Sequence, residues 1–380
     1  MSMESREVKS TRRDLREVAA ECRTTEGQPE KVMGNVPSRN SAPPAYEFPE
    51  FVPHPLLRSG HAQTFAGAYV PHRRVAYRAQ CHTLLLPDGD RTALHDDLPE
   101  GWSDGQPCVL LLHGLGGSHL SPYMVRVSDK LRRRGVRAFR LDLRGHGAAW
   151  DWAQYPGHAG RSEDARAAIE LIQRLAPRST LSAVGISLGG NILLKLLGEW
   201  GGDAPAHLIQ ALIVSPPADL AHCSRNMLNE VSPLYTRAFL RSLRRQMRLR
   251  KHIMPGLAQL KLPRDPENLW EFDDWVTAPL SGFKNAVDYY EQCSSCHVAH
   301  QVQVPTTMLA AADDPIIPIG ILETITLSSS TRLHITEHGG HIGFIGESGR
   351  DPDRRWLDWR ILEWLDAGMR TGMSTIDPVR

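Results

Sequence analysis

The chain has 380 residues, 41% hydrophobic and 23% charged, enough apolar material for one large or two ordinary soluble domains. A formal net charge of +1 carries no excess that would attract nucleic acid or an anionic membrane. Six cysteines (Cys22, Cys81, Cys108, Cys223, Cys293 and Cys296) are too few and too irregularly spaced for a disulfide scaffold, and they fit a reducing compartment.

Residues 1–45 are polar, with interleaved charges and a Pro-rich end, and read as an extension that cannot bury enough surface to order itself. A short helix over residues 11–21 is the exception. The start of the chain holds no apolar h-region and no apolar run is long enough to span a bilayer, so the expected location is the cytoplasm. From about Phe51 the texture changes. "HTLLLPDGDRTALHDD" alternates around an Asp-Gly turn and predicts a hairpin. Short apolar strands follow at 108–113, 136–143, 181–187, 209–215, 304–311 and 331–337. Helix-period segments separate the first four, and Gly135 stands where a C′ glycine closes the first helix. Strands apolar on both faces that alternate with helices predict a mostly parallel twisted sheet covered on both sides. "DRRWLDWRILEWLDAG" predicts an amphipathic terminal helix.

One interval breaks this rhythm. About ninety residues between "IVSPPADL" and "VPTTMLAA" contain helical stretches and no strand, as a lid inserted into a core would. The expected division is a polar extension at 1–45, core at 46–218, helical lid at 219–300 and core again at 301–380.

The chemistry centres on "LSAVGISLGGNILLKLL". Gly185-Ile186-Ser187-Leu188-Gly189 is a G-x-S-x-G where a strand meets a helix, a turn that lifts a nucleophilic serine above the sheet. A serine needs a base, and the expected chain order is Ser, acid, His. "AAADDPIIP" offers Asp313 and Asp314. Asp314 is favoured because it heads the loop after a strand, with Pro318 able to start the next helix. Asp219 is a rival acid. "TEHGGHIGF" offers His338 and His341, and two glycines before His341 favour it, with His338 as a surface histidine. The backbone amides of Leu188 and of Leu115, in "HGLGGSH", are the expected oxyanion donors. His113 is expected to brace that loop.

These segments, with "GHAQTF", "RLDLRGHG", "HAGRSEDARAAI", "EFDDWVTAPLSGF" and "DYY", make residues 50–365 resemble an α/β-hydrolase of the YheT type, also called the AB-hydrolase 4 group. The resemblance implies an α/β-hydrolase fold with a helical lid and a triad of Ser187, Asp314 and His341. It also implies an esterase-like activity on small-molecule carboxylic esters, medium-chain or lipid-like, without metal or organic cofactor. An acyltransferase on the same triad and a non-catalytic ligand-binding member are the alternatives. Some animal relatives carry an N-terminal membrane anchor; a polar stretch stands there in this chain.

Weaker signals remain. Arg237, Arg241, Arg244, Arg245, Arg248, Arg250 and Lys251 lie on one helix with Phe239, Leu240, Leu243 and Met247 on its apolar side. They read as a lid helix with a solvated charged face, or as a weak peripheral contact with lipid. Trp270, Phe272, Trp275 and Phe283 could line an acyl pocket or fill the lid's own core. His158 and Arg161 could reach the pocket, and Ser162 could cap the helix that follows. "CSSCH" (Cys293, Cys296, His297) matches a haem-attachment pattern, but in this context it reads as a connector between lid and core. No second Cys or His pair has zinc-site spacing. Oligomeric state stays open.

Overall fold

Strands with apolar side chains on both faces need a layer on each side, and the fold supplies both. The computed structural model describes residues 46–70, 75–229 and 231–373; the expected helix at 11–21 lies outside them. All six expected strands and the hairpin form one eight-stranded sheet. They are β1 (Gln80–Leu85), β2 (Arg91–Asp97), β3 (Cys108–Leu112), β4 (Arg137–Leu141), β5 (Leu181–Ile186), β6 (Leu208–Val214), β7 (Thr306–Ala311) and β8 (Thr331–Thr336). The order is β1-β2-β4-β3-β5-β6-β7-β8, with β1–β2 and β2–β4 antiparallel and every other pair parallel. The chain steps from β3 outward to β4, then back past β3 to β5, which opens a crevice at the carboxyl ends of β3 and β5.

Helices α1 (Gly60–Tyr69), α2 (Pro122–Arg133), α3 (Ser162–Leu175) and α4 (Leu188–Trp200) precede β6. Gly135, at φ 74°, ends the α2 region in the left-handed conformation that a Cβ disfavours. Between β6 and β7 come α5 (Leu220–Asn229), α6 (Pro233–Arg250), α7 (Pro255–Gln259) and α8 (Leu269–Phe272). A π-helical turn (Asp273–Thr277), α9 (Ala278–Leu280) and α10 (Ala286–Cys293) follow. Finally α11 (Ile319–Thr324) lies between β7 and β8, and α12 (Trp356–Met373) closes the described chain. One face of the sheet packs on α3 and α4 through Ile169, Ile172, Leu193 and Leu197. The other packs on α2 and α12 through Met124, Leu131, Ile361 and Trp364. Trp364 is fully buried, and its truncation to Ala would cost about 3–5 kcal/mol.

A buried carboxylate ties the sheet's antiparallel edge to the loop after β3. Asp142 accepts hydrogen bonds from His95 Nε2 (2.9 Å), His119 Nδ1 (2.8 Å) and the amides of His119 (2.7 Å) and Ala148 (2.8 Å). These two histidines and one aspartate lie close enough for a metal site. Their facing nitrogens, however, are donors to a carboxylate that four donors already satisfy, so the cluster is a strut.

Buried imidazoles make stability depend on pH. Burial pushes His95 and His113 down to about 3, and lowers His146 and His158. An unfolded histidine takes up a proton near pH 6.5, whereas these folded ones do not, so stability falls as pH drops. Burial raises Asp164 and Asp273 to about 6, which favours the folded state as pH drops from about 6 to 4 and offsets part of that loss. Below about pH 4 this offset is complete, and Asp142, held well below the usual carboxylate range by the two histidines despite its burial, adds to the loss. The melting temperature should therefore decline gently from about pH 6 and steeply below about pH 4, each group contributing up to ~1.4 kcal/mol per pH unit. A thermal-melt series that stays flat to pH 3 would contradict this.

Candidate active site

Strand β5 is buried along its whole length and delivers Ser187 to the crevice. Ser187 has φ 54° and ψ −119°, a conformation that costs a serine roughly 1–3 kcal/mol and holds only when its surroundings enforce it. They do. A Cβ on Gly185 would lie 2.5 Å from the Gly189 carbonyl oxygen, and one on Gly189 would lie 2.7 Å from those of Leu112 and His113. The two glycines let β5 turn into α4 against β3.

Ser187 Oγ lies 2.9 Å from His341 Nε2, and His341 Nδ1 lies 2.9 Å from Asp314 Oδ2. With Asp314 ionised, Nδ1 carries the proton and Nε2 faces the serine as an acceptor. The other oxygen of Asp314 accepts the amides of Ile316 (2.8 Å) and Ile317 (3.0 Å), so the carboxylate is fixed from both ends. The three candidate acids are thereby separated. Asp313 accepts the amide of Gly340 (2.8 Å) and pairs with the half-exposed His338 (3.4 Å). Asp219 accepts the amide of His222 (2.8 Å) at the start of α5.

The sequence assigns no mechanism to "GHAQT", although the family resemblance implies that it packs near the site; the structure shows what it holds. Thr64, on α1, accepts the His341 amide (2.9 Å) and donates to the Gly60 carbonyl (2.7 Å). Gln63 binds both the amide (2.7 Å) and carbonyl (3.1 Å) of Ile345. A Cβ on Gly60 would collide with the Asp313 carbonyl oxygen. "GHAQT" thus clamps the loops that bear Asp314 and His341. Thr64→Val keeps the shape and leaves the His341 amide unpaired. It should lower kcat about tenfold with little change in KM. A lowered melting temperature with unchanged kcat would make Thr64 a strut only.

Leu115 and Leu188 both border the cavity beside Ser187. In the loop after β3, the amide of Gly114 is taken by the Tyr123 hydroxyl, that of Gly117 by the Gly114 carbonyl and that of Ser118 by Ser121. Those of Leu115 and Gly116 have no acceptor among the described residues. The Leu188 amide, first in α4, has no intrahelical partner either. His113 braces this loop as expected: Nδ1 donates to the Gly114 carbonyl (2.8 Å), and Nε2 accepts the Leu143 amide (3.0 Å).

The cavity above Ser187 holds about 180 Å3 and is roofed by the helices between β6 and β7. Phe239, Leu243 and Met247 of α6 and Phe272 of α8 line it. Trp270, Trp275 and Phe283 instead pack among the helices themselves, so of the four aromatics one borders the pocket and three fill the helical core. Asp273 also faces the cavity, accepting from Tyr290 (2.8 Å) and Thr277 (2.7 Å). His158 and Arg161 line the wall, and burial together with Arg161 and Arg144 pushes His158 well below its usual pKa.

Two local readings need correction. Ser162 does not cap α3: Arg161 occupies that position, and the Ser162 hydroxyl donates to Glu199 (2.5 Å) because Glu199 lies within reach on α4. The basic face of α6 is not solvated throughout. Arg237, Arg241, Arg245 and Arg248 are exposed, but Arg250 is 4% exposed and lines the cavity, drawn in by two backbone carbonyls.

The "CSSCH" segment ends α10. Burial pushes the thiols of Cys293 and Cys296 up to about 12 and about 11, away from thiolate chemistry. Asn191 of α4 donates to the Cys293 carbonyl (3.0 Å) and accepts the Ser295 amide (3.0 Å), which ties this segment to the helix that starts at Ser187.

A family model described as alpha/beta hydrolase fold matches residues 107–348. The "Putative esterase YheT" of Escherichia coli is 34% identical over 322 residues, which is 83% of this chain and 93% of that protein. The "Medium-chain fatty acid ethyl ester synthase/esterase 2" of Saccharomyces cerevisiae is 27% identical over 76% of this chain and 66% of its own length. Among solved structures, the acylaminoacyl peptidase of Pyrococcus horikoshii aligns with a TM-score of 0.50 at 13% identity. It covers 81% of this chain and 44% of that one, a likeness of fold alone. No helix among the described residues is long and apolar enough to cross a membrane. With the elbow after β5 and a matched region that spans the sheet from β3 to the loop after β8, the chain belongs to the α/β-hydrolase family, in its YheT-type branch.

Proposed function

We propose that the protein is a serine hydrolase of carboxylic esters. The observation that carries this is the continuous hydrogen-bonded line from Ser187 Oγ through His341 to Asp314 at the floor of an apolar cavity. In the mechanism, His341 Nε2 takes the Ser187 proton as Oγ attacks the ester carbonyl. Asp314 holds the tautomer and stabilises the imidazolium. The Leu115 and Leu188 amides receive the developing oxyanion. His341 then protonates the leaving alcohol, and water, activated by the same imidazole, releases the acid. The helical stretch over the cavity acts as a lid, and its apolar wall suits an acyl chain. The names of the bacterial and yeast relatives support ester chemistry.

The same acyl-enzyme can pass its acyl group to an alcohol, and the yeast relative's name joins synthase and esterase. Adding a short alcohol to an assay would separate the two by the ratio of new ester to free acid. The primary test is labelling of Ser187 by a fluorophosphonate together with turnover of p-nitrophenyl esters. Label on another residue, or no turnover at any chain length, would overturn the proposal.

A further inference from the structure

The apolar cavity contains an arginine with no acidic partner among the described residues. Arg250 ends α6 and lies on the same helix face as Phe239, Leu243 and Met247, eleven, seven and three residues before it. It is 4% exposed. Its Nη2 donates to the carbonyls of Ala153 (2.8 Å) and Tyr155 (3.0 Å). Its Nε is buried without a hydrogen-bond partner, and among the described residues Arg250 makes no ion pair with a carboxylate. Asp90, the acidic group whose field reaches it, is engaged elsewhere, accepting the amides of Gln154 (3.0 Å) and Tyr155 (3.1 Å). Asp273, on the cavity wall, is held by Tyr290 and Thr277. Burial lowers Arg250 to about 10, so it stays charged at neutral pH.

The position is made for this side chain. Gly145, at φ 71°, leaves room for it: a Cβ there would sit 1.9 Å from Nη1 and would push the guanidinium aside. Taking an unpaired cation out of water is expensive, and two neutral carbonyls compensate it poorly. A latch between α6 and the 153–155 turn needs only neutral donors. A guanidinium facing a ligand cavity with unused N–H groups has the chemistry to bind an anion in its planar fork.

We propose that Arg250 is a specificity-determining residue that binds an anionic group, carboxylate or phosphate, carried by the substrate apart from its ester. Ser187 and Arg250 open on one cavity. The substrate class is then an ester whose reacting carbonyl sits at Ser187 while an apolar spacer, against Leu243 and Met247, places the anion at Arg250. This rests on the hydrolase reading given above and narrows it.

The test compares three p-nitrophenyl esters of equal length: a neutral alkanoate, one ending in a carboxylate and one ending in a phosphate. The wild type should favour at least one anionic ester, mainly through KM. Arg250→Gln, which keeps a donor for the carbonyls, should reduce the anionic-to-neutral ratio of kcat/KM roughly ten- to hundredfold. Arg250→Lys should restore part of it. The arm that responds tells carboxylate from phosphate. A wild type with no anionic preference, or a Gln variant that slows all three esters by one factor, overturns the proposal. If no ester is turned over, the hydrolase reading fails, and calorimetry of Ser187→Ala with an alkyl carboxylate, an alkyl phosphate and the parent alcohol still decides on Arg250. Equal affinity for all three would refute anion binding.

Discussion

Ser187→Ala should reduce ester hydrolysis by roughly 10^5- to 10^6-fold while leaving the melting temperature close to that of the wild type. The expected size follows from what the substitution removes. Without Oγ no acyl-enzyme can form, and His341 and Asp314 have nothing to activate. Removing one member of such a unit costs about as much as removing all. The Leu115 and Leu188 amides would still polarise a bound carbonyl, so a residue of about 10^3-fold over water should persist. Stability should barely move, because the strained φ of 54° is enforced by contacts of Gly185 and Gly189 that the substitution leaves alone. Steady-state kinetics with melting curves on the same preparations check both halves. A variant that keeps more than about 1% of the activity would mean that another nucleophile does the work.

What could be read from the sequence follows the range of each interaction. The elbow was legible because its requirements are local: two glycines within two residues of Ser187, a strand before and a helix after. The parallel sheet was legible because two-faced apolar runs have few other homes. Asp314 could be favoured over Asp313 from its spacing to Pro318, since the loop it heads is built by adjacent residues. Thr64 could not be assigned a role, because the His341 amide it binds lies 277 residues away. Nothing in "GHAQT" announces that partner. Arg250 was misread for the same reason. Its neighbours along α6 are exposed arginines, and only carbonyls 97 and 95 residues earlier draw it into the cavity. Ser162 was misread because a hydroxyl near a helix start has two uses, and Glu199 of α4 decided between them. Local chemistry points to Ser187 as the proposed nucleophile. The residues packed around it, such as Thr64 and Arg250, are set by long-range contacts.

That distinction is sharpest at the paired aspartates, adjacent in sequence and alike in type. Asp314→Asn should lower kcat by about 10^4-fold. An asparagine fits the space and its carbonyl can still accept the Ile316 and Ile317 amides, so the loop should keep its shape. Its NH2 group would then face His341 Nδ1 as a donor. The imidazole proton would shift to Nε2, and the nitrogen beside Ser187 could no longer accept the hydroxyl proton. The loss therefore comes from the tautomer, with the side chains still in place. Asp313→Asn is the control. Its carbonyl can still accept the Gly340 amide, and Asp313 makes no hydrogen bond or ion pair with His341, so kcat should fall less than about tenfold. Kinetics and fluorophosphonate labelling rates of the two variants, side by side, decide the matter. If Asp313→Asn is the slower enzyme, the acid that orients His341 during turnover is the other carboxylate, and the loop must rearrange when substrate binds.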